Sequence, residues 1–283
     1  MIDVIVTGAQ GFIGQSVVKL LRENGYNLLT LNHVDGDIAS ENTWDGLPEA
    51  RSVIHLAGRS FVPESWKMSG NFIDTNVVGT QRALDYCKEY GARMIYANAY
   101  IYGIPKHLPI AESDPINPNN PYAMSKHIGE QLCEFANRYQ NVSATVLRIF
   151  NVYGSGQKKN FLIPSLVRQV LNNKEVNVMD LEPRRDYIHT QDVANAFIKS
   201  IDAPDGFNCV NIGSGVSYSV QEVIEIIQFI AGTNLPIVSK SLERFQEIPD
   251  VIADISKAKK ILKWEPTITL EEGLSDMLKV LKS

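Results

Sequence analysis

The chain has 283 residues, of which 44% are hydrophobic and 21% are charged, and its net charge is −5. These values are typical of a globular protein, and the length allows one large domain or one domain with a smaller partner. The acidic balance gives no support to nucleic-acid binding, and no apolar run reaches the ~18 residues that a membrane helix needs.

The cysteines and histidines argue against disulfides and metal sites. Cys87, Cys133 and Cys209 lie far apart and form no CxxC pair, which is typical of a reducing compartment. The five histidines show no metal-ligand spacing, so we expect no metal site. The predicted first strand begins at Ile2 and leaves no room for a signal peptide, so we expect a cytoplasmic protein.

Strands alternate with helices in the first half of the chain. Apolar, often β-branched runs predict strands at Ile2–Thr7, Asn27–Asn32, Ser52–Ala57, Arg93–Ala97 and Ser143–Ile149. Apolar residues at helical spacing predict a helix that Asn24-Gly25 ends, and further helices over Phe72–Tyr90 and Tyr122–Tyr139. This alternation predicts an α/β fold, a Rossmann-type doubly wound parallel sheet.

The pattern changes after about residue 152, where glycine-rich loops, short helices and isolated strands follow one another. The helices of this part are expected over Ile163–Asn172, Val220–Ala231 and Leu270–Leu281. We assign residues 1–152, with about 186–212, to the dinucleotide-binding Rossmann domain. Residues 153–185 and 213–283 are expected to form a smaller α+β substrate-binding domain.

Three glycines follow the first predicted strand at a spacing typical of dinucleotide binding. The first permits a tight turn, the second lets a pyrophosphate approach the backbone, and the third lets helix and strand pack closely. The N-terminus of the following helix offers N–H groups and a partial positive charge to phosphate. The strand-to-helix context supports this interpretation, and the predicted cofactor contacts here are Gly8, Gly11, Phe12, Ile13 and Gly14.

The second strand lacks the acidic residue that commonly holds the adenosine ribose of NAD. Asn32 takes that position, and Asp35 and Asp37 lie beyond the predicted end of the strand. Either Asn32 hydrogen-bonds the ribose, or the loss of the acid removes repulsion toward the 2′-phosphate of NADP. No arginine stands beside Asn32 to favour NADP, so the choice between NAD and NADP stays open.

Tyr122 and Lys126 are four residues apart in a predicted helix, so they share one face. An ammonium group beside a phenol favours the phenolate and is expected to lower the pKa of Tyr122. Such a tyrosine can act as the general acid or base during hydride transfer at an alcohol or ketone. Pro121 fits the first turn of this helix.

With these features the chain resembles the extended short-chain dehydrogenase/reductase family, in its nucleotide-sugar epimerase, dehydratase and reductase group. The similarity runs nearly end to end. The motifs that carry it are HLAG at His55–Gly58, NVVGT at Asn76–Thr80, NPYAMSK at Asn120–Lys126, LRIFNVYG at Leu147–Gly154, RRDYIHTQDVA at Arg184–Ala194, NIGSG at Asn211–Gly215 and ADISKAKKILKWEP at Ala253–Pro266.

The resemblance implies roles for further residues. The expected additional cofactor contacts are Asp37 and Ile38 at the adenine, Leu56, Ala57 and Gly58 along the cofactor, Asn76 near it, and Lys126 at the nicotinamide ribose. The expected contacts to the diphosphate of a nucleotide-linked sugar are Asn151, Arg185 and Arg244. Arginine suits that task because its planar fork binds phosphate with two hydrogen bonds.

One residue departs from the family pattern. A serine or threonine usually stands four residues before the Tyr-Gly of the [ST]xxxYG element, and here Asn98 stands in that place. An amide donates and accepts hydrogen bonds but cannot relay a proton as a hydroxyl does. Asn98 is therefore a candidate catalytic residue with an altered role.

The resemblance implies an enzyme that moves a hydride at C4 of a nucleotide-linked hexose, working as a homodimer paired through the helices of Phe72–Tyr90 and Tyr122–Tyr139. A 4-keto-6-deoxyhexose reductase is the leading interpretation, since Asn32 suits an exchanging cofactor and the segment His55–Trp66 resembles GDP-4-keto-6-deoxymannose reductases. A 4-epimerase is the alternative. Asn98 also leaves open a non-catalytic sensor, which would have no need of the Tyr122–Lys126 pair.

Overall fold

Six parallel strands form the central sheet of the computed structural model, which describes residues 2–240 and 248–282. In spatial order they are β2 (Leu28–Leu31), β1 (Ile2–Thr7), β3 (Ala50–His55), β4 (Arg93–Ala99), β5 (Ala144–Ile149) and β9 (Phe207–Ile212). The order reverses between β1 and β3, so the crevice in which such sheets bind ligands opens at the carboxyl ends of these two strands. The predicted Rossmann-type fold is confirmed.

Helices cover both faces of this sheet. They are α1 (Phe12–Glu23), the short α2 (Val62–Ser65) and α3 (Ser69–Ile73), α4 (Gly79–Tyr90), α5 (Pro121–Gln140) and α7 (Thr190–Ile201). α1 and α7 pack together on one face, and α4 and α5 pack on the other. All six residues of β5 are buried, as expected for a strand covered on both faces.

A smaller layer of helices and strands follows the main sheet. β6 (Asn151–Tyr153), β8 (Arg184–His189) and β10 (Ser217–Ser219) form a three-stranded sheet, and β7 (Val176–Val178) pairs with β11 (Ile237–Ser239). Their separate apolar core includes residues of α6 (Leu162–Asn172), α8 (Val220–Ala231) and α10 (Leu270–Lys282). α9 (Ser256–Leu262) returns to the main sheet and packs beside β9.

The predicted helix over Phe72–Tyr90 is interrupted. α3 ends at Ile73, a single π-helical turn covers Asp74–Val78, and α4 continues from Gly79. Such π turns occur most often at functional sites. Because periodicity alone does not reveal one inserted residue in a turn, the sequence predicted a continuous helix.

Candidate active site

The glycine loop joins β1 to α1 with its backbone packed against the end of β3. Gly8 has a φ of +67°, and a Cβ on it would lie 2.7 Å from the backbone nitrogen of Ala57. A Cβ on Gly14 would overlap the carbonyl oxygen of Gly8 and lie 2.8 Å from the carbonyl carbon of Ala9. These two glycines therefore allow the close approach of loop, helix and neighbouring strand.

Gly11 differs from its two neighbours. A Cβ there would meet only the carbonyl oxygen of Gly8 within 4 Å, at 3.1 Å, and its φ of −67° suits any residue. It caps α1 without a side-chain hydrogen bond, and the first turn holds no acidic residue. Backbone N–H groups at this helix start can therefore receive an anionic group, and the cradle fits the pyrophosphate of NAD or NADP.

The end of β2 carries a carboxylate after all. The Asn32 amide oxygen accepts a hydrogen bond from the backbone N–H of Gln10 (2.9 Å), which ties β2 to the glycine loop. The chain then turns, and the Asp35 carboxylate accepts one from the backbone N–H of Asn32 (2.7 Å). A carboxylate therefore lies one hydrogen bond from the backbone at the end of β2, although position 32 itself is not acidic. Asp37 is exposed and Ile38 is buried at a later turn.

Thr7 and His55 lock the carboxyl ends of β1 and β3 together. The Thr7 hydroxyl oxygen accepts hydrogen bonds from the backbone N–H groups of Leu56 (3.2 Å) and Ala57 (3.1 Å). Its own proton is then free for His55 Nδ1, 2.9 Å away. Burial, together with the charge of Lys126, lowers the pKa of His55 to about 3. His55 is therefore a neutral residue of the site's floor, and Leu56 and Ala57 are half-buried at its rim.

Asn76, inside the π turn, clamps the loop after β3 to α5. Its amide oxygen accepts a hydrogen bond from the backbone N–H of Arg59 (2.8 Å), and its nitrogen donates to the carbonyl of Arg59 (3.0 Å) and to the Ser125 hydroxyl (2.9 Å). A Cβ on Gly58 would lie 3.0 Å from the amide oxygen of Asn76. Contacts therefore run without a break from the glycine loop through residues 56–59 to the helix that carries Tyr122.

Tyr122 and Lys126 lie on the first two turns of α5. This helix begins at Pro121, with the Asn120 side chain accepting a hydrogen bond from the backbone N–H of Ala123. Burial raises the pKa of Tyr122 to about 12, and burial also lowers the pKa of Lys126 to about 7. The lowered pKa expected for Tyr122 is thus not found, because burial disfavours the charged form of both groups.

Asn98 is buried within a network of charged side chains under α5. Its amide nitrogen donates to the Glu130 carboxylate at 2.5 Å, and its amide oxygen accepts a hydrogen bond from the backbone N–H of Ala99. Arg148 binds the same carboxylate with two hydrogen bonds, of 2.9 and 2.5 Å, and donates to the Tyr102 hydroxyl. In this arrangement the amide of Asn98 is already committed to Glu130 and its own strand.

Glu130 is a residue that the sequence reasoning missed. It stands four residues after Lys126 on the same helix face and is 6% exposed. The one signal in the sequence was Arg148, a charged residue inside the apolar strand Ser143–Ile149, which implies a buried acidic partner. A buried guanidinium requires a carboxylate partner, but nothing in the sequence identified which one.

The predicted substrate residues stand on the three-stranded sheet. The Asn151 amide nitrogen donates to the carbonyl of Asp186 (3.3 Å), and Arg185 donates to the carbonyls of Arg184 and Ile248. Asn151 and Arg185 therefore lie on neighbouring strands, β6 and β8. Arg244 falls outside the described residues.

The Asp186 side chain holds the NIGSG motif. It is fully buried and accepts hydrogen bonds from the backbone N–H groups of Ser214, Gly215 and Ala253, and from the Ser214 hydroxyl. Burial raises the pKa of this carboxyl, while the hydrogen bonds oppose that shift. Asp186 thus fixes the loop after β9, which explains part of the motif by structure rather than by chemistry.

Among residues 2–240 and 248–282, no group of three or more His, Cys, Asp or Glu side chains is arranged to hold a metal ion. Over the same residues, no helix combines the length and the apolar character that crossing a bilayer requires.

The sequence model of a family described as "NAD dependent epimerase/dehydratase family" matches residues 4–213. A UDP-glucose 4-epimerase of Halalkalibacterium halodurans is 30% identical, over 93% of this chain and 90% of its own. A GDP-6-deoxy-D-mannose reductase of Pseudomonas aeruginosa is 31% identical, over 96% and 95% of the two chains.

Solved structures are also similar to this chain over nearly its whole length. The UDP-glucose 4-epimerase of Thermotoga maritima, crystallised with UDP-glucose, superposes with a TM-score of 0.93 at 29% identity and covers 99% of this chain and 98% of its own. Other structural matches hold NAD or NADPH.

Proposed function

The chain belongs to the NAD dependent epimerase/dehydratase family, and on that premise we propose that it is a 4-epimerase of a nucleotide-linked hexose that keeps a bound NAD. As a family member it is an enzyme that uses NAD or NADP. The hexose, the direction of the reaction and the choice of NAD are the proposed part.

The position of Asp35 carries the choice of NAD. Its carboxylate is one hydrogen bond from the backbone of Asn32, which itself is bonded to the glycine loop. A carboxylate beside the adenosine ribose accepts hydrogen bonds from ribose hydroxyls and repels a 2′-phosphate. An epimerase restores its own cofactor in each turnover, so tight binding of NAD favours its activity. With Asp35 beside it, Asn32 no longer favours an enzyme that exchanges its cofactor.

When bound, NAD would accept the hydride from C4 of the sugar and later return it. The residues of this chain have separate roles around that transfer. Tyr122 takes the proton of the C4 hydroxyl as the hydride leaves and returns it when the hydride comes back to the other face of the 4-keto sugar. Tyr122 must be a phenolate to take this proton, and Lys126, when protonated, stabilises that phenolate before the proton is taken and again after it is returned. Asn151 and Arg185 hold the diphosphate, with Arg185 as the cation.

A reductase of a 4-keto-6-deoxyhexose is the second candidate. It is favoured by the 31% identity to the Pseudomonas reductase and by the similarity of the segment from His55 to Trp66. Such an enzyme must exchange its cofactor in every turnover, so a protein that keeps its NAD through purification would argue against it.

The test is to purify the protein and identify the nucleotide that accompanies it. We expect NAD to be retained and UDP-glucose and UDP-galactose to interconvert with no cofactor added. Consumption of one NADPH per molecule of GDP-4-keto-6-deoxymannose, with no epimerisation, would establish the reductase instead.

Asp35→Asn tests the choice of cofactor. It should lower the affinity for NAD and reduce the ratio of NAD affinity to NADP affinity by roughly tenfold, as expected for a lost charge-assisted hydrogen bond. Asp45→Asn, also exposed, is the matched control and should change neither.

A further inference from the structure

Tyr96 lies directly beneath Lys126. It stands on β4 with no exposed surface, and the Nζ atom of Lys126 is 4.1 Å from the centroid of its ring. An ammonium group at this distance is attracted by the negative face of an aromatic ring. Tyr96 was not among the residues that the sequence pointed to.

The helix is shaped to receive this ring. A Cβ on Gly129 would overlap the Tyr96 hydroxyl and lie 2.8 Å from Cζ, so only glycine leaves room for the phenol. The hydroxyl donates to the carbonyl of Lys126 at 3.5 Å, and the ring stacks on His55 with centroids 6.1 Å apart and planes 17° apart. The ring is therefore fixed between helix and sheet, with one face toward Nζ.

The other groups around Lys126 compensate its charge poorly. His55 on β3 is neutral and supplies no charge. The titratable neighbours on α5 itself are Tyr122, Glu130 and Cys133. The Glu130 carboxylate accepts hydrogen bonds from Arg148 and Asn98 instead. In residues 2–240 and 248–282 no carboxylate forms a salt bridge with Lys126, and the ring face of Tyr96 contacts its ammonium group.

We propose that Tyr96 is a positioning residue for Lys126, whose ammonium group its ring face holds in place. Any effect of this contact on the rate of turnover rests on the proposed function. The contact itself does not, because it joins two side chains of the chain without any substrate.

The ring stabilises the charged form against burial, which lowers the pKa of Lys126 to about 7. Removing the ring face should lower that pKa further, by about one pH unit, which is the size of a desolvated cation–π contact. The sign is fixed by the charge: a lost partner of the cation makes the neutral amine appear at lower pH.

The experiment measures the pKa of Lys126 by competitive acetylation of the purified protein at a series of pH values, followed by mass spectrometry of the peptide that holds it. Tyr96→Phe keeps the ring and should leave the pKa of Lys126 unchanged. Tyr96→Leu removes the ring and should lower it by about one unit. Phe197→Leu is the control, since Phe197 is equally buried on α7 in the other core cluster.

A second measurement covers the case in which Tyr96→Leu does not fold. Trifluorinated phenylalanine at position 96 has nearly the same shape as phenylalanine but a depleted ring face, and it should lower the pKa of Lys126 relative to Tyr96→Phe. Equal pKa values in these two proteins would overturn the proposal. Because no substrate is present, a shifted pKa in a protein without epimerase activity would leave Tyr96 positioned as stated and the proposed function wrong.

Discussion

Tyr122 and Lys126 show how burial changes what a residue pair can do. Neighbouring groups of opposite charge stabilise each other's ionised forms. Here, however, burial raises the pKa of the Tyr122 phenol to about 12 and lowers that of the Lys126 amine to about 7. Around neutral pH the phenol is protonated and the amine is close to half-charged. In this state Tyr122 can donate a proton, and it can accept one only as the phenolate, which the protonated form of Lys126 stabilises.

Tyr122→Phe tests this residue as the general acid and base. We expect turnover to fall ~10²–10⁴-fold, the usual effect of removing such a group, while NAD affinity stays nearly unchanged because the ring remains packed on Phe72. Initial rates and calorimetric titration with NAD check the two parts.

Tyr187→Phe is the matched control, because the buried Tyr187 hydroxyl has no hydrogen-bond partner in the described part of the chain. It should keep the wild-type rate. A Tyr122→Phe protein that also keeps that rate would rule out the assigned role.

At the scale of the element, the two glycines at the start of α1 differ in how tightly they are packed. A Cβ on Gly14 would overlap the carbonyl oxygen of Gly8, whereas a Cβ on Gly11 would make one tight contact, 3.1 Å from the same oxygen. The π turn plays a comparable part in the next connection, since it sets Asn76 between the loop after β3 and α5. Both elements place backbone where a cofactor is expected.

Alanine at the two glycines should separate these effects. Gly14→Ala forces a methyl group against the carbonyl of Gly8 and should cost about 1–3 kcal/mol of unfolding free energy. Gly11→Ala should cost less unfolding free energy than Gly14→Ala, because its Cβ meets one backbone atom at 3.1 Å. It should weaken NAD binding by roughly tenfold or more, since the second glycine of such a loop lets the pyrophosphate approach the backbone. Urea unfolding and calorimetry measure the two quantities.

Gly70→Ala in α3 provides the control, because a Cβ there meets nothing within 4 Å. Neither its stability nor its NAD affinity should fall. If Gly11→Ala bound NAD as tightly as the wild type, the loop would not be where the pyrophosphate lies.

At the scale of the whole molecule, the surface made by α3, the π turn and α5 carries several exposed apolar side chains. They are Ile73, Val78, Met124, Phe135 and Tyr139, with exposures of 39%, 36%, 49%, 53% and 66%. Leu84 on α4 is fully buried and belongs to the core. The predicted homodimer would use this face, because clustered exposed apolar groups mark association surfaces.

Phe135→Glu should convert the predicted dimer to a monomer, since it places a charge among those exposed apolar side chains. Light scattering measures the mass directly. Phe229→Glu on α8 is the control, as Phe229 is 88% exposed but lies away from α4 and α5. A wild-type protein that is monomeric at the working concentration would contradict the prediction.

The sequence by itself determined the order and type of the elements, because periodicity and turn residues are local. β1 begins and ends where predicted, α8 likewise, and the ends of α5 differ by one residue. The glycine loop could be located for the same reason, since its three glycines act within seven residues. The resemblance then supplied the family, which the comparisons confirm.

Only the tertiary structure decided which side chains meet. Asn98 and Glu130 are 32 residues apart in sequence, and Asn76 and Ser125 are 49 apart, so no local pattern signals either contact. The return of Asp35 to the end of β2 depends on a turn rather than on strand periodicity. The pKa of Tyr122 moved against expectation because desolvation depends on everything that packs around the phenol, and that packing exists only in the folded chain.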